Sequence, residues 1–262
     1  MTTGLRYDVA DHVATITLDR PEKKNAFTLA MLDNWATALH DAERDPDVRA
    51  VVLTGAGDAF CAGVDLEDYA GARPPGTWGE KSMLTGRVHQ IALAMENLTK
   101  PVIAAVNGVA YGAGMDMSLM CDLRLAGRSA RFCEAYVNVG LVPGDGGCWY
   151  LPRIIGTAQA LRLLWLGEVV DAEEALRLGL VLDVVDDDAL QDRAQELARR
   201  LAAKPPIAVQ LIKRAVREGE RHDLRTALDL ISSHQAVVGA TDDAREARAA
   251  FLERRPGVFV GR

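Results

Sequence analysis

The stretch Pro101-Val102-Ile103-Ala104-Ala105-Val106-Asn107-Gly108-Val109-Ala110-Tyr111-Gly112-Ala113-Gly114-Met115-Asp116-Met117 decides the fold class. It opens on an apolar run with no polar alternation, the mark of a strand buried on both faces of a helix-covered sheet. A glycine-bearing loop follows, and Met115–Met120 continues as a helix. The same order stands upstream, where Ala50–Leu53 is a short buried strand and Thr54–Gly63 a second glycine-bearing loop. Further out, Ala14, Ile16 and Leu18 alternate with Thr15 and Thr17, a strand that Asp19-Arg20-Pro21 ends. Thr28 is placed to cap a helix whose Leu32, Trp35, Ala36 and Leu39 share one face, and Asp45-Pro46-Asp47 stops it. Val88, Ile91, Ala92 and Met95 repeat the helical spacing, while Leu123–Leu125 and Ala130–Cys133 read as short strands. Tyr69–Trp78, with Pro74, Pro75 and its glycines, reads as loop and is expected to border a substrate pocket. From Asp187 onward the spacing is helical throughout: Leu190, Ala194, Leu197 and Leu201, then Leu224, Leu228 and Ile231, with Pro205-Pro206 between. The whole reads as an α/β fold with parallel strands over residues 1–186, followed by a helical C-terminal region over 187–262.

Composition excludes several function classes. The 262 residues carry 30 basic and 37 acidic side chains, a net charge of −7, which disfavours nucleic acid and anionic membranes as partners. No apolar run approaches the ~20 residues of a membrane span, and Met1–Asp11 lacks the pattern of a signal peptide, so a cytoplasmic location is expected. The four cysteines contain no CxxC pair, and the five histidines no HxxxH or HExxH pattern, so neither a disulfide framework nor a metal site is expected. The histidines read as surface or satisfied core residues. Chemistry then falls to carboxylates, backbone groups or a ligand brought in.

Both glycine loops lie between a buried strand and a helix, where backbone N–H groups are free to meet an anion. Neither has dinucleotide spacing. After Gly55-Ala56-Gly57 the third glycine is replaced by Phe60, and Gly108, Gly112 and Gly114 run GxxxGxG; no P-loop ending follows either.

Four segments in order carry a resemblance. Leu18-Asp19-Arg20-Pro21-Glu22-Lys23-Lys24-Asn25-Ala26, Phe60-Cys61-Ala62-Gly63-Val64-Asp65-Leu66, Val106–Gly114 and Gly140-Leu141-Val142-Pro143-Gly144-Asp145-Gly146-Gly147 resemble the enoyl-CoA hydratase/isomerase (crotonase) family, and Phe251–Arg255 is similar to its closing helix. The resemblance implies a crotonase-like spiral of ββα units, a homotrimer or dimer of trimers assembled through the C-terminal helices, and an acyl-CoA thioester as substrate. It implies no cofactor beyond the CoA that the substrate carries. By motif position it places an oxyanion hole on the N–H groups of Val64 and Ala113, where the family usually has glycine at the second position. It places CoA-binding groups at Lys23, Lys24, Ala26, Ala62, Asp65 and Leu66. Two preorganised donors suit this chemistry, because an enolate carries more charge on the thioester oxygen than the starting thioester does.

The acid–base positions depart from the family's two glutamates. The first is Asp116 and the second Tyr136, a phenol that donates a hydrogen bond more readily than it acts as a base. Glu134, two residues earlier and on the same face if the segment is extended, and Asp145 in the Pro143–Gly147 turn are the other candidates. Hydration asks for two groups, whereas double-bond migration can use one. That consideration favours an isomerase and family frequency favours a hydratase, with a non-catalytic acyl-CoA-binding homologue as a further alternative.

Overall fold

The computed structural model describes residues 4–72 and 76–262. In chain order its strands are β1 (Leu5–Ala10), β2 (Val13–Leu18), β3 (Ala50–Gly55), β4 (Ala59–Cys61) and β5 (Val102–Val106). Then come β6 (Val109–Tyr111), β7 (Leu123–Gly127), β8 (Arg131–Cys133), β9 (Val170–Asp171) and β10 (Asp183–Val185). The helices that precede the C-terminal third are α1 (Leu29–Arg44), α2 (Leu66–Ala72), α3 (Gly76–Met83), α4 (His89–Asn97), α5 (Ala113–Leu119), α6 (Gly147–Ile155), α7 (Thr157–Leu166) and α8 (Ala172–Arg177). The rest are α9 (Leu190–Ala202), α10 (Pro206–Gly219), α11 (Leu224–Gly239) and α12 (Asp242–Glu253).

Two sheets are built from alternate strands. The larger runs β1-β2-β3-β5-β7-β10, antiparallel only between β1 and β2; the smaller runs β4-β6-β8-β9, antiparallel only between β8 and β9. Each of β3, β5 and β7 therefore enters the large sheet and hands the chain to a short strand of the small one before a helix follows. This repeat is the spiral of ββα units. The glycine loops at 54–63 and 108–114 thus hold β4 and β6, short strands that the flanking glycines make read as loop.

Period-two alternation divides the core. In β3, Val51 and Leu53 face the main apolar cluster with Trp35 and Ile91, whereas Ala50 and Val52 face a second cluster under α9. There Leu190, Ala194, Ala198 and Ala202, four residues apart, lay one stripe of α9 on the sheet. Thr28 caps α1 by accepting from the Met31 N–H, and Pro206 opens α10. Asn107 donates to the carbonyls of Gly55 and Gly57, and buried Asn25 donates to those of Ala56 and Ala59, so side-chain amides pin the turn between β3 and β4.

The stretch read as loop over Tyr69–Trp78 is helical where described, ending α2 and opening α3. Pro74 and Pro75, on which that reading turned, lie outside the described residues, as does the expectation of a pocket border there. Between α3 and α4 the chain makes one turn of π-helix, Leu84–Val88. Among the described residues no helix is long and apolar enough to cross a membrane.

Trp35 is 1% exposed and its indole N–H has no partner among the described residues. Trp35→Ala should therefore lower unfolding stability by roughly 3–5 kcal/mol. Trp35→Phe, which also removes the orphan donor, should cost under about 1.5 kcal/mol. Denaturant melts of both variants at one protein concentration provide the check.

Candidate active site

Two backbone segments meet at the head of α5. On one side Phe27 donates to the Gly63 carbonyl (2.9 Å) and accepts from the Asp65 N–H (2.8 Å). This parallel bridge engages the residues flanking Val64 and turns the N–H of Val64 itself away. On the other side Gly112 donates to Cys133 and accepts from Asp116 (3.0 Å). Its φ of 50° and ψ of −122° belong to glycine alone. Ala113 is the first residue of α5, so its N–H has no partner in the helix. It lies in helical backbone outside the positive-φ residues, so its Cβ is tolerated there. A Cβ on Gly63 would stand 3.6 Å from the Ala113 nitrogen, which places the two segments in contact. Neither N–H is consumed by the bonds that hold its loop.

Beneath this junction the structure brings together all four acidic candidates. Asp116, in the first turn of α5, is fully buried. Its Oδ2 lies 2.8 Å from the Tyr136 hydroxyl, which lies 2.5 Å from Asp145 Oδ2. A phenol has one proton, so both contacts are filled only when one carboxyl is protonated and donates to the phenolic oxygen. Glu134 departs from the extended geometry expected of it. It sits at the head of the 3₁₀ turn Ala135–Val139, 1% exposed, with its carboxyl against Asp116. Gly147 is what admits the pair. A Cβ there would lie within 2.9 Å of Glu134 Oε1 and closer still to Asp116 Oδ1.

Burial sets the proton affinities, because no cationic side chain forms an ion pair with these carboxyls among the described residues. Desolvation, reinforced by the Asp116 charge, pushes Glu134 up to about 10. Desolvation and the Asp145 charge push Asp116 up to about 7, against the pull of the Tyr136 hydroxyl, the Glu134 carboxyl and the Gly147 N–H. Burial likewise raises Asp145, opposed by the Tyr136 hydrogen bond and the His89 charge, and drives Tyr136 well above the usual phenol range. At neutral pH Glu134 and Tyr136 are the proton holders, and Asp116 is poised to exchange one.

The residues placed at the CoA end surround the turn Pro21–Lys23. Lys23 is 3.2 Å from Glu67 and Lys24 is 2.5 Å from Asp58, all four exposed. Ala62 donates to the Lys24 carbonyl, and Leu66 is exposed at the start of α2. Asp65 is engaged structurally: it accepts from Arg20 (3.0 Å) and from the N–H groups of Glu67 and Asp68. Burial raises its carboxyl, but these donors hold it below the usual range. Arg20, which sequence reasoning left out, also donates to the Ala26 carbonyl (2.6 Å) and so ties the lysine turn to α2. Gly147 was missed as well; its place after Gly146 in a glycine-rich turn was the available signal. Among the described residues no group of His, Cys, Asp or Glu is arranged to hold a metal ion, and the four cysteines are free.

A family model for enoyl-CoA hydratase/isomerase matches residues 8–262. The chain is 43% identical to 1,2-epoxyphenylacetyl-CoA isomerase of Escherichia coli, over 95% of each chain. It is 37% identical to short-chain-enoyl-CoA hydratase of Clostridium acetobutylicum, over 93% of this chain and 92% of that one. A crystal structure of enoyl-CoA hydratase from Bacillus anthracis superposes with a TM-score of 0.94 at 36% identity, covering 99% of this chain and 100% of that one. The chain belongs to the enoyl-CoA hydratase/isomerase family. As in that family, it is an enzyme that processes acyl-CoA thioesters.

The buried aspartate of this family member has a consequence for stability. Folded Asp116 keeps its proton to about 7, whereas an unfolded aspartate releases it near about 3.9. Between those values folded Asp116 holds a proton that the unfolded chain has lost, so its contribution to stability falls as pH rises through the window and is lost above it, while Glu134, protonated to about 10, continues the decline. Asp116→Asn should therefore raise the melting temperature at pH 8 and leave it nearly unchanged at pH 4, in scans at matched ionic strength.

Proposed function

We propose that this enzyme moves a carbon–carbon double bond within an acyl-CoA thioester, with Asp116 as the group that takes and returns the proton. The observation that carries this reading is Tyr136 hydrogen-bonded to both Asp116 and Asp145 (2.8 and 2.5 Å). Hydration uses one group to activate water and another to deliver a proton. Here the three side chains share protons as one unit, and the phenol does not ionise near neutral pH.

In the step, Asp116 carboxylate removes a proton from the carbon between the thioester carbonyl and a 3,4 double bond. The C–H electrons pass into the carbonyl, giving a dienolate whose oxygen lies in the oxyanion hole formed by the N–H groups of Val64 and Ala113. The same proton returns at the far carbon, which leaves a conjugated 2-enoyl thioester of unchanged mass. Each N–H donor contributes on the order of 3 kcal/mol of barrier lowering in such a hole. Lys23 and Lys24 exchange their carboxylate partners for CoA phosphates, with Ala26, Ala62 and Leu66 along the same edge. The step uses no cofactor beyond substrate CoA. The helical region from 187 onward serves assembly as a homotrimer or dimer of trimers: Ile212, Val216, Leu224, Leu228, Phe251 and Leu252 leave an apolar face exposed on α10–α12.

The test incubates the enzyme with 3-enoyl-, 2-enoyl- and dienoyl-CoA of several chain lengths and follows mass and ultraviolet absorption. Unchanged mass with new conjugation is expected. A gain of 18 mass units, the addition of water, would identify a hydratase, and binding without turnover a non-catalytic homologue. Asp116→Asn should lower kcat by about 100-fold or more, and full activity in that variant would overturn its assigned role.

A further inference from the structure

The π-helical turn Leu84–Val88 lies against the acid cluster, and both of its ends reach the same residue. A Cβ on Gly144 would stand 3.2 Å from Leu84 Cδ2, and His89 Nε2 lies 2.9 Å from the Gly144 carbonyl oxygen. Leu84 and His89 are five residues apart, and the His89 N–H bonds to the Leu84 carbonyl. In an α-helix, residues five apart point about 140° away from each other; the wider π turn brings them nearer to one face. Such turns are rare and energetically poor, and this one stands where two contacts converge on the residue before Asp145. The Gly144 carbonyl can only accept, so His89 Nε2 carries a hydrogen and donates it.

We infer that His89 is a positioning residue for the acid–base unit: its imidazole N–H fixes the Gly144–Asp145 peptide, and through it the Asp145 carboxyl against Tyr136. Asp145 is 6% exposed and sits in a turn bounded by Gly144 and Gly146, so its backbone has little stiffness of its own. The Tyr136 bond to Asp116 depends in turn on where Asp145 holds the phenol. His89 reaches no reacting atom; its charge favours the Asp145 carboxylate, and its N–H acts through this chain, the part that His89→Gln keeps. Leu84, five residues earlier, closes the same peptide from its apolar side.

This inference rests on Asp116–Tyr136–Asp145 being the working site, and one set of variants separates the two ideas. His89→Leu keeps the bulk and removes the donor; His89→Gln restores an N–H. Both are assayed on whichever CoA thioester the enzyme turns over, beside Asp145→Asn and the double variant His89→Leu/Asp145→Asn. His89→Leu is expected to lower kcat by about 10- to 100-fold with little change in KM, the cost of a displaced group. His89→Gln should recover most of that loss. In the Asp145→Asn background, His89→Leu should add almost nothing, because both changes break the same link. Unchanged kcat in His89→Leu overturns the inference while loss in Asp116→Asn keeps the site. So does a His89→Gln variant as slow as His89→Leu, or a His89→Leu effect that persists in full beside Asp145→Asn. Melting temperatures of the variants are measured alongside, and a kcat loss that tracks unfolding at the assay temperature also overturns it.

Discussion

Three carboxyl groups are buried here around a half-buried phenol, with no ion-pair partner among the described residues, and the rest of the site follows from that burden. An isolated buried carboxylate is too costly to persist, so such groups hold protons, share them or acquire a cation. This chain shares. Asp116, Tyr136 and Asp145 form one hydrogen-bonded line of oxygens, while Glu134 beside Asp116 keeps its proton. The two sheets serve the same end: β5 and β6 deliver α5 with Asp116 in its first turn, while β7 and β8 deliver the 3₁₀ turn that carries Tyr136. Gly147 then lets the head of α6 approach without a side chain in the way.

The same constraint separates the two kinds of hydrogen-bond donor in the site. Backbone N–H groups at Val64 and Ala113 are held by the fold and do not titrate, so burial does not change their charge. The carboxyls do titrate, and burial moves them. In the proposed reaction the fixed dipoles would stabilise the enolate and the titrating groups would exchange the proton, so the two tasks are separated physically. This division also explains why a chain so poor in histidine and cysteine constellations can be an enzyme.

Much of this was legible in sequence, and for identifiable reasons. The strand at Pro101–Val106 and the capped helix after Thr28 were readable because burial on both faces and one-face spacing leave long patterns. β4 and β6 were not, since each lies inside a glycine-bearing segment that reads as loop. Asp116 could be singled out from its motif position. That Glu134 meets it, and that Tyr136 links it to Asp145, could not, because these contacts depend on a 3₁₀ turn and on the missing side chain of Gly147, neither of which leaves a periodic signal. Helix α3 was hidden by the neighbouring prolines, and the π turn by its likeness to ordinary helical spacing.

Charge poses a last question that the structure answers locally. A net −7 chain must hold a ligand as anionic as CoA, yet Lys23 and Lys24 already face Glu67 and Asp58. Exposed pairs of this kind are each worth only about 0–1 kcal/mol, so exchanging a surface carboxylate for a phosphate costs little. The costly part is holding the turn in place beforehand, and that is done by groups which do not exchange. Arg20 bonds Asp65 and the Ala26 carbonyl, and buried Asn25 bonds the turn after β3. On the proposed placement of CoA, this preorganised backbone with loosely paired lysines on top is what would let an acidic protein receive a polyanion.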